Sequence, residues 1–249
     1  MWYVGLDVHV KHITIGVLNK YGKLLKRSQL PNLDDVVRFL KNLPDRFEVC
    51  YEASTGYGYY YEALTPIASR VAVAHPGLLR LIFRSKKKND RADAEKLAKL
   101  LFLKEVPTIH VPPADVRSWR KAIIYRSNVI RKRTRAKNCV RALLRSVGLK
   151  VPREFGLWPK RGMEWLEQQD FKQPLENMKR TMLVNEIRFL SAQTKDLEAV
   201  LAQFSKDNVA VLLLQSIQGI GLRTAEAFVA FVDDPHRFAN SKKVGAYFG

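Results

Sequence analysis

The sequence predicts an α/β or α+β domain of about 105 residues, read as α/β, followed by long basic helices. Alternating, β-branched segments separated by short turns open the chain, and helix and strand signals then alternate. Beyond Pro112-Pro113 the strand signals stop and long helical periodicities replace them.

Each element can be read from its residues. Trp2-Tyr3-Val4-Gly5-Leu6-Asp7 is a short apolar run ending in a carboxylate, and His12 to Leu18 alternates with period two. Asn19-Lys20-Tyr21-Gly22-Lys23 carries turn chemistry into Leu24 to Leu30, so the three strands form an antiparallel meander. Asn32-Leu33-Asp34-Asp35 opens a helix bearing Val36, Val37, Phe39, Leu40 and Leu43, with acidic residues at its start. Phe47 to Glu52 is a fourth strand, again closed by a carboxylate. Tyr59 to Ser69 reads as a helix, Val71 to Ala74 as the fifth strand, Pro76 to Phe83 as a short helix and Asp90 to Leu103 as a longer one.

Residues 114–147 form one long helix, ended by Gly148 and Pro152. Arg117, Arg120, Lys121, Arg126, Arg131, Lys132, Arg133, Arg135, Lys137, Arg141 and Arg145 are opposed only by Asp115, so this helix carries about half of the excess charge. Its apolar stripe is Val116, Ile123, Ile130, Val140, Leu143 and Leu144. A second helix over 174–204 has Leu175, Met178, Met182, Ile187, Leu190, Leu197 and Leu201 as its stripe. Two such helices predict an antiparallel pair or a dimerising coiled coil. The expected division is 1–112, 113–205 and 206–249.

Of 249 residues, 43 are Lys or Arg and 24 Asp or Glu, a formal net charge of +19. Such an excess calls for a polyanion partner: DNA, RNA or an anionic membrane surface. A hydrophobic fraction of 47% excludes a disordered chain. No apolar run approaches the ~18 residues of a membrane span, and the N-terminus lacks a signal-peptide pattern. The expectation is a soluble protein kept in the compartment where it is made. Cys50 and Cys139 lack the spacing of a zinc or redox motif, which excludes a disulfide framework and fits free thiols in a reducing cytoplasm.

Four acids stand out. Asp7 and Glu52 close two strands, and strand-end carboxylates point toward one edge of a sheet. Asp90 and Asp93 lie three apart in Lys88-Asn89-Asp90-Arg91-Ala92-Asp93-Ala94, on one face at the start of a helix. Clustered acids in so basic a chain have a physical purpose as ligands of hard divalent cations. Two such ions, roughly 3.5–4 Å apart, activate the attacking oxygen and stabilise the leaving one in phosphodiester chemistry. Singly, each acid also fits a helix cap or a turn; jointly they point to a metal site.

Gly5-Leu6-Asp7-Val8-His9, Tyr51-Glu52-Ala53-Ser54-Thr55-Gly56 and Lys88 to Ala94 resemble the N-terminal DEDD motifs of the IS110/IS1111-type transposases. Leu214 to Gly221, with Ala225 and Asp233 to Phe238 after it, resembles the start of that family's C-terminal domain. The resemblance spans essentially the whole chain. It implies an RNase H-like (RuvC-like) first domain and assigns Asp7, Glu52, Asp90 and Asp93 as catalytic ligands of Mg²⁺, for which Mn²⁺ is a substitute. It further implies site-specific recombination of mobile DNA, guidance by an element-encoded RNA, and action in the prokaryotic cytoplasm or nucleoid as a homodimer or tetramer. The family's catalytic serine falls beyond the segment resembling Val244 to Gly249. Ser241 is upstream of that place and is not assigned as the nucleophile, so the chain is expected to be truncated before the serine and inactive alone.

Candidate nucleic-acid contacts are Lys86, Lys87 and Lys88 beside the acid pair, and Arg117, Arg120, Lys121, Arg126, Arg131, Lys132, Arg133, Arg135, Lys137 and Arg141 on the long helix. Gly219 and Gly221, before Thr224-Ala225-Glu226-Ala227, look like the hairpin of a helix-hairpin-helix, where backbone N–H groups meet a phosphate. Tyr57, Tyr59, Tyr60 and Tyr61 suit either base stacking or burial against the sheet. His9 and His12 are set aside as surface or packing residues. Two other functions stay open: a RuvC-like structure-specific endonuclease using only the acids and Mg²⁺, and a non-catalytic nucleic-acid-binding protein.

Overall fold

In the computed structural model, which describes residues 1–83 and 90–248, the chain divides into two units, Met1–Pro113 and the residues from Ala114 onward. The first is built on a mixed five-stranded sheet in the order β3-β2-β1-β4-β5. Strands β1 (Trp2–Val8), β2 (Ile13–Leu18) and β3 (Leu24–Leu30) form the antiparallel meander. The β2–β3 turn works as its residues require: Asn19 Oδ1 accepts from the Tyr21 and Lys23 backbone N–H groups at 2.9 and 3.0 Å. Gly22 takes φ +74°, a left-handed conformation that favours glycine.

Helix α1 (Leu33–Lys41) starts at Asn32, whose side chain accepts from Asp35 N–H. Strand β4 (Phe47–Glu52) pairs parallel with β1, helix α2 (Tyr57–Leu64) comes next, and β5 (Arg70–Ala74) pairs parallel with β4. The second helix starts two residues earlier and stops five earlier than its periodicity predicts. Thr65 closes it, and Pro66 has no N–H with which to continue. Helices α3 (Pro76–Ile82) and α4 (Asp90–Phe102) complete the unit.

The pleat sorts the sheet residues into two cores. Val4, Leu6, Ile13, Ile15, Val17, Val49, Tyr51 and Val73 pack with Leu33, Val36 and Leu40 of α1 and Leu64 of α2. On the other face Tyr3, Cys50, Ala72 and Ala74 pack with Leu79 of α3 and Leu97, Leu100 and Leu101 of α4.

The second unit is helical. Helix α5 (Ala114–Ser146) and α7 (Pro174–Ser205) form an antiparallel pair, with the short α6 (Lys160–Gln168) between them in sequence. Late α5 residues Ala136, Val140, Leu143 and Leu144 pack with early α7 residues Val184 and Ile187, and with Met163 and Leu166 of α6. Early α5 residues Trp119 and Ile123 pack with Leu201 of late α7, and with α8 (Val209–Gln215) and α9 (Leu222–Val232) through Val211, Ala225 and Ala230. Residues beyond 205 therefore share a core with the long helices. Helix α10 (Ser241–Phe248) ends the described chain.

The stripes are displaced from their expected positions. In α5 Val129, rather than Ile130, is the buried residue. In α7 the buried seam is Val184, Ile187, Leu190, Thr194 and Leu201, whereas Leu175, Met178 and Met182 are exposed. Among the described residues no helix is long and apolar enough to cross a membrane.

Candidate metal centre and nucleic-acid interface

Asp7 and Glu52 are neighbours by construction. Leu6 is in register with Tyr51 across the parallel β1–β4 ladder, so the next residue on each strand, Asp7 and Glu52, lies side by side at the C-terminal ends. Side chains alternate across a strand. Asp7 therefore shares the face of Gly5, and Glu52 that of Cys50, which is the face covered by α4.

Two glycines set the height of α4 over that face. Gly5 and Gly16 pair across β1 and β2. A Cβ on Gly5 would lie 2.0 Å from the Ala94 carbonyl oxygen and 2.6 Å from the Ala98 nitrogen; one on Gly16 would lie 3.1 Å from the Glu95 nitrogen. The helix backbone thus rests directly on the strand backbone. Tyr3, at the start of β1, meets Phe102, at the end of α4, edge to face at 5.3 Å. The helix therefore runs antiparallel to β1, and its first turn, with Asp90 and Asp93, comes to the strand ends where Asp7 and Glu52 stand.

Asp7 and Glu52 thus share one face and one end of the sheet, and α4 brings the backbone of its first turn to that end. Among the described residues no three His, Cys, Asp or Glu side chains are grouped closely enough to hold a metal ion; the Asp90 side chain lies outside the described set, as do Lys86, Lys87 and Lys88. Glu52 is exposed, and Asp7 and Asp93 are half-buried. Asp7 Oδ2 is 3.0 Å from His9 Nε2, and Asp93 Oδ1 accepts from Lys96 Nζ at 2.8 Å. Sequence reasoning passed over both nitrogens. Their signal was spacing alone, two residues past a strand-end acid and three past a helical one. His9 and His12 stand 5.1 Å apart, centre to centre. The tyrosines divide: Tyr57, Tyr60 and Tyr61 pack against the sheet core, while Tyr59 is exposed.

The basic residues of α5 also divide. Arg120 donates to the Ala230 and Phe231 carbonyls at 2.6 and 3.1 Å, and Arg126 pairs with Glu198 of α7, so both are tied into their own unit. Lys121, Arg131, Lys132, Arg135 and Arg141 are exposed, and Arg117, Arg133 and Lys137 are half-buried. Lys137 and Arg141 both lie over the Trp158 ring, at 4.9 and 5.0 Å from its centre. Burial and the neighbouring cations Arg133 and Arg141 hold the Lys137 ammonium below its ordinary pKa. Between α8 and α9, Gly219 takes φ +91°, and Gly221 begins α9 with no side chain capping its first N–H groups.

Similarity to known proteins covers both ends of the chain. The model of the IS110-type DEDD transposases, described as "Transposase", matches residues 4–148, and that of the "Transposase IS116/IS110/IS902 family" matches 211–249. A putative transposase of Sinorhizobium fredii, y4qE, is 26% identical over 257 residues, covering 99% of this chain and 62% of the relative. The transposase for insertion sequence element IS1111A of Coxiella burnetii is 26% identical over 206 residues, covering 81% and 55%. The chain thus spans about three fifths of the length of these relatives. Matched by the family's N-terminal model over more than half its residues and by a second family model near its end, this chain belongs to the IS110 family of transposases.

Proposed function

We propose that the chain supplies the metal-dependent strand-cleavage site and much of the nucleic-acid surface of a DNA transposase that recombines a mobile element under the guidance of an element-encoded RNA. One observation carries this reading. Two strand-end carboxylates, Asp7 and Glu52, stand side by side on the face where α4 brings its acid-bearing first turn. The strand order β3-β2-β1-β4-β5 supports an RNase H-like first domain.

The donor set is all carboxylate, the chemistry that suits Mg²⁺ or Mn²⁺. Asp7, Glu52, Asp90 and Asp93 would hold the ion, which when bound would polarise a phosphodiester and activate an attacking oxygen. The chain's own contribution is to set the carboxylates: β1 and β4 fix Asp7 and Glu52 through their ladder, and Gly5 and Gly16 fix the height of Asp93. Lys121, Arg131, Lys132, Arg135 and Arg141 are exposed along α5 and suited to the phosphates of DNA and RNA. Leu175, Met178 and Met182 give α7 an exposed apolar strip that supports a homodimer or tetramer, and we place its action in the prokaryotic cytoplasm or nucleoid.

Calorimetric titration with Mn²⁺, comparing the chain with Asp7→Ala/Asp93→Ala, tests the site. Saturable binding lost in the double variant is the expected result. Equal binding by both would show that these acids are not the ligands.

A further inference from the structure

Asp93 already holds a cation. Lys96, three residues on along α4, donates from Nζ to Asp93 Oδ1 at 2.8 Å. The same nitrogen lies 5.3 Å from the centre of the Phe83 ring, which packs in the core beneath α4. The Lys96 side chain is 30% exposed and that of Asp93 32%. The ammonium is therefore held between a carboxylate and a ring face, whereas an ordinary helix-surface lysine extends into water.

A divalent ion on Asp93 would share that carboxylate with the ammonium, and like charges so close repel even across water. Both cations address one short carboxylate, so occupation by one disfavours the other. We propose that Lys96 is a resident counter-ion of the acid site: it holds Asp93 while the metal is absent, gives it up when the metal binds, and is then free to engage a phosphate of the DNA strand. The inference rests on the metal-site reading above. Lys96 acts through Asp93 and is a positioning residue. Its long stem permits both placements, because the helix fixes only its Cα and the ammonium travels with the rotamer. The same exchange would make metal occupancy and phosphate binding mutually supportive, since metal entry delivers a positive charge to the place where the strand must lie.

The test is Mn²⁺ calorimetry on the full chain and on Lys96→Met, Lys96→Arg and Asp7→Asn. Methionine keeps the apolar stem against Phe83 and removes only the charge. The expected result is about three- to tenfold tighter Mn²⁺ binding by Lys96→Met. Lys96→Arg, which restores the cation, is expected to stay within about twofold of the unaltered chain, and Asp7→Asn to lose saturable binding. If Asp7→Asn loses binding but Lys96→Met binds no more tightly than the unaltered chain, the counter-ion is refuted and the metal site stands. If Asp7→Asn binds like the unaltered chain, or the unaltered chain shows no saturable binding, the metal-site reading falls and the counter-ion with it.

Discussion

Replacing Gly5 with alanine perturbs the candidate site without touching a charge. The added Cβ would meet the Ala94 carbonyl oxygen at 2.0 Å, the Ala98 nitrogen at 2.6 Å and the Leu97 Cβ at 3.0 Å. Ordinary contact begins at 3.4 Å, so α4 must retreat from β1 by about 1.4 Å along the worst of these lines. Two of the three obstacles are backbone, which no rotamer change can move aside. Overpacking costs about 1–3 kcal/mol where side chains can adjust, and here the upper end or beyond is expected, out of a typical total of about 5–15 kcal/mol. The helix movement also carries Asp93 away from Asp7 and Glu52, while metal–ligand distances tolerate only about ±0.2 Å. Two assays check this: urea unfolding read by hydrogen-exchange protection of the β1 and β4 peptides, and Mn²⁺ calorimetry. The midpoint should fall by about 1–3 M, since about 3 kcal/mol is divided by an m-value of about 1–3 kcal/mol per M, and Mn²⁺ binding should be lost. Gly16→Ala is the comparison. Its nearest contacts lie at 3.1–3.2 Å, so a few tenths of an ångström suffice and about 1 kcal/mol is expected. If Gly5→Ala proves no less stable than Gly16→Ala, the close seating of α4 on the sheet is wrong.

Other consequences are accessible to simple measurements. Burial pushes the Cys50 thiol up to about 12, while Cys139 is half-buried; at pH 8 a disulfide reagent should label Cys139 in the folded chain and Cys50 only after denaturation. Glu226 is 1% exposed, and its Oε1 accepts from Ser205 Oγ at 2.6 Å and Arg223 at 2.9 Å. Ser205→Ala should therefore cost about 1–3 kcal/mol in urea unfolding of the helical unit, by taking a donor from a buried carboxylate. Arg27, which bonds to Glu95, is the main cause that holds this carboxyl below its ordinary 4.5, with Lys99 adding to it. The stability from that depressed pKa is present above 4.5 and lost as the pH falls through the lower folded value. In Arg27→Ala, carbon-detected NMR should find the Glu95 titration moved up toward 4.5.

The sequence made the strands legible because each is short, alternating and bounded by turn residues. The strand-end acids were visible for the same reason, since Asp7 and Glu52 interrupt apolar runs. What put them on the same face was the parity of two parallel strands, and parity needs a pairing register that no local pattern contains. The seating of α4 on Gly5 and Gly16 was equally hidden, because a glycine in a strand does not say which backbone approaches it. In α7, periodicity could not choose between two apolar stripes; Leu175, Met178 and Met182 fit helical spacing as well as the seam that α5 covers. Helix α6 escaped notice because it is short and carries Gly162. That glycine is needed there: a Cβ would lie 2.0 Å from the Gly156 carbonyl oxygen.

The middle place of β1 in the sheet has a consequence for the order in which the chain acquires its chemistry. As the polypeptide grows, β1, β2 and β3 close on one another within the first 30 residues, and short-range pairings of this kind form quickly. Asp7 is then held at an edge that still lacks Glu52, and both await a helix that begins at residue 90. A nascent or abortively shortened chain can therefore have an ordered sheet without an assembled set of acids. The candidate set of acids would be complete only with the last helix of the first unit, so its assembly waits on an element that ends at residue 102.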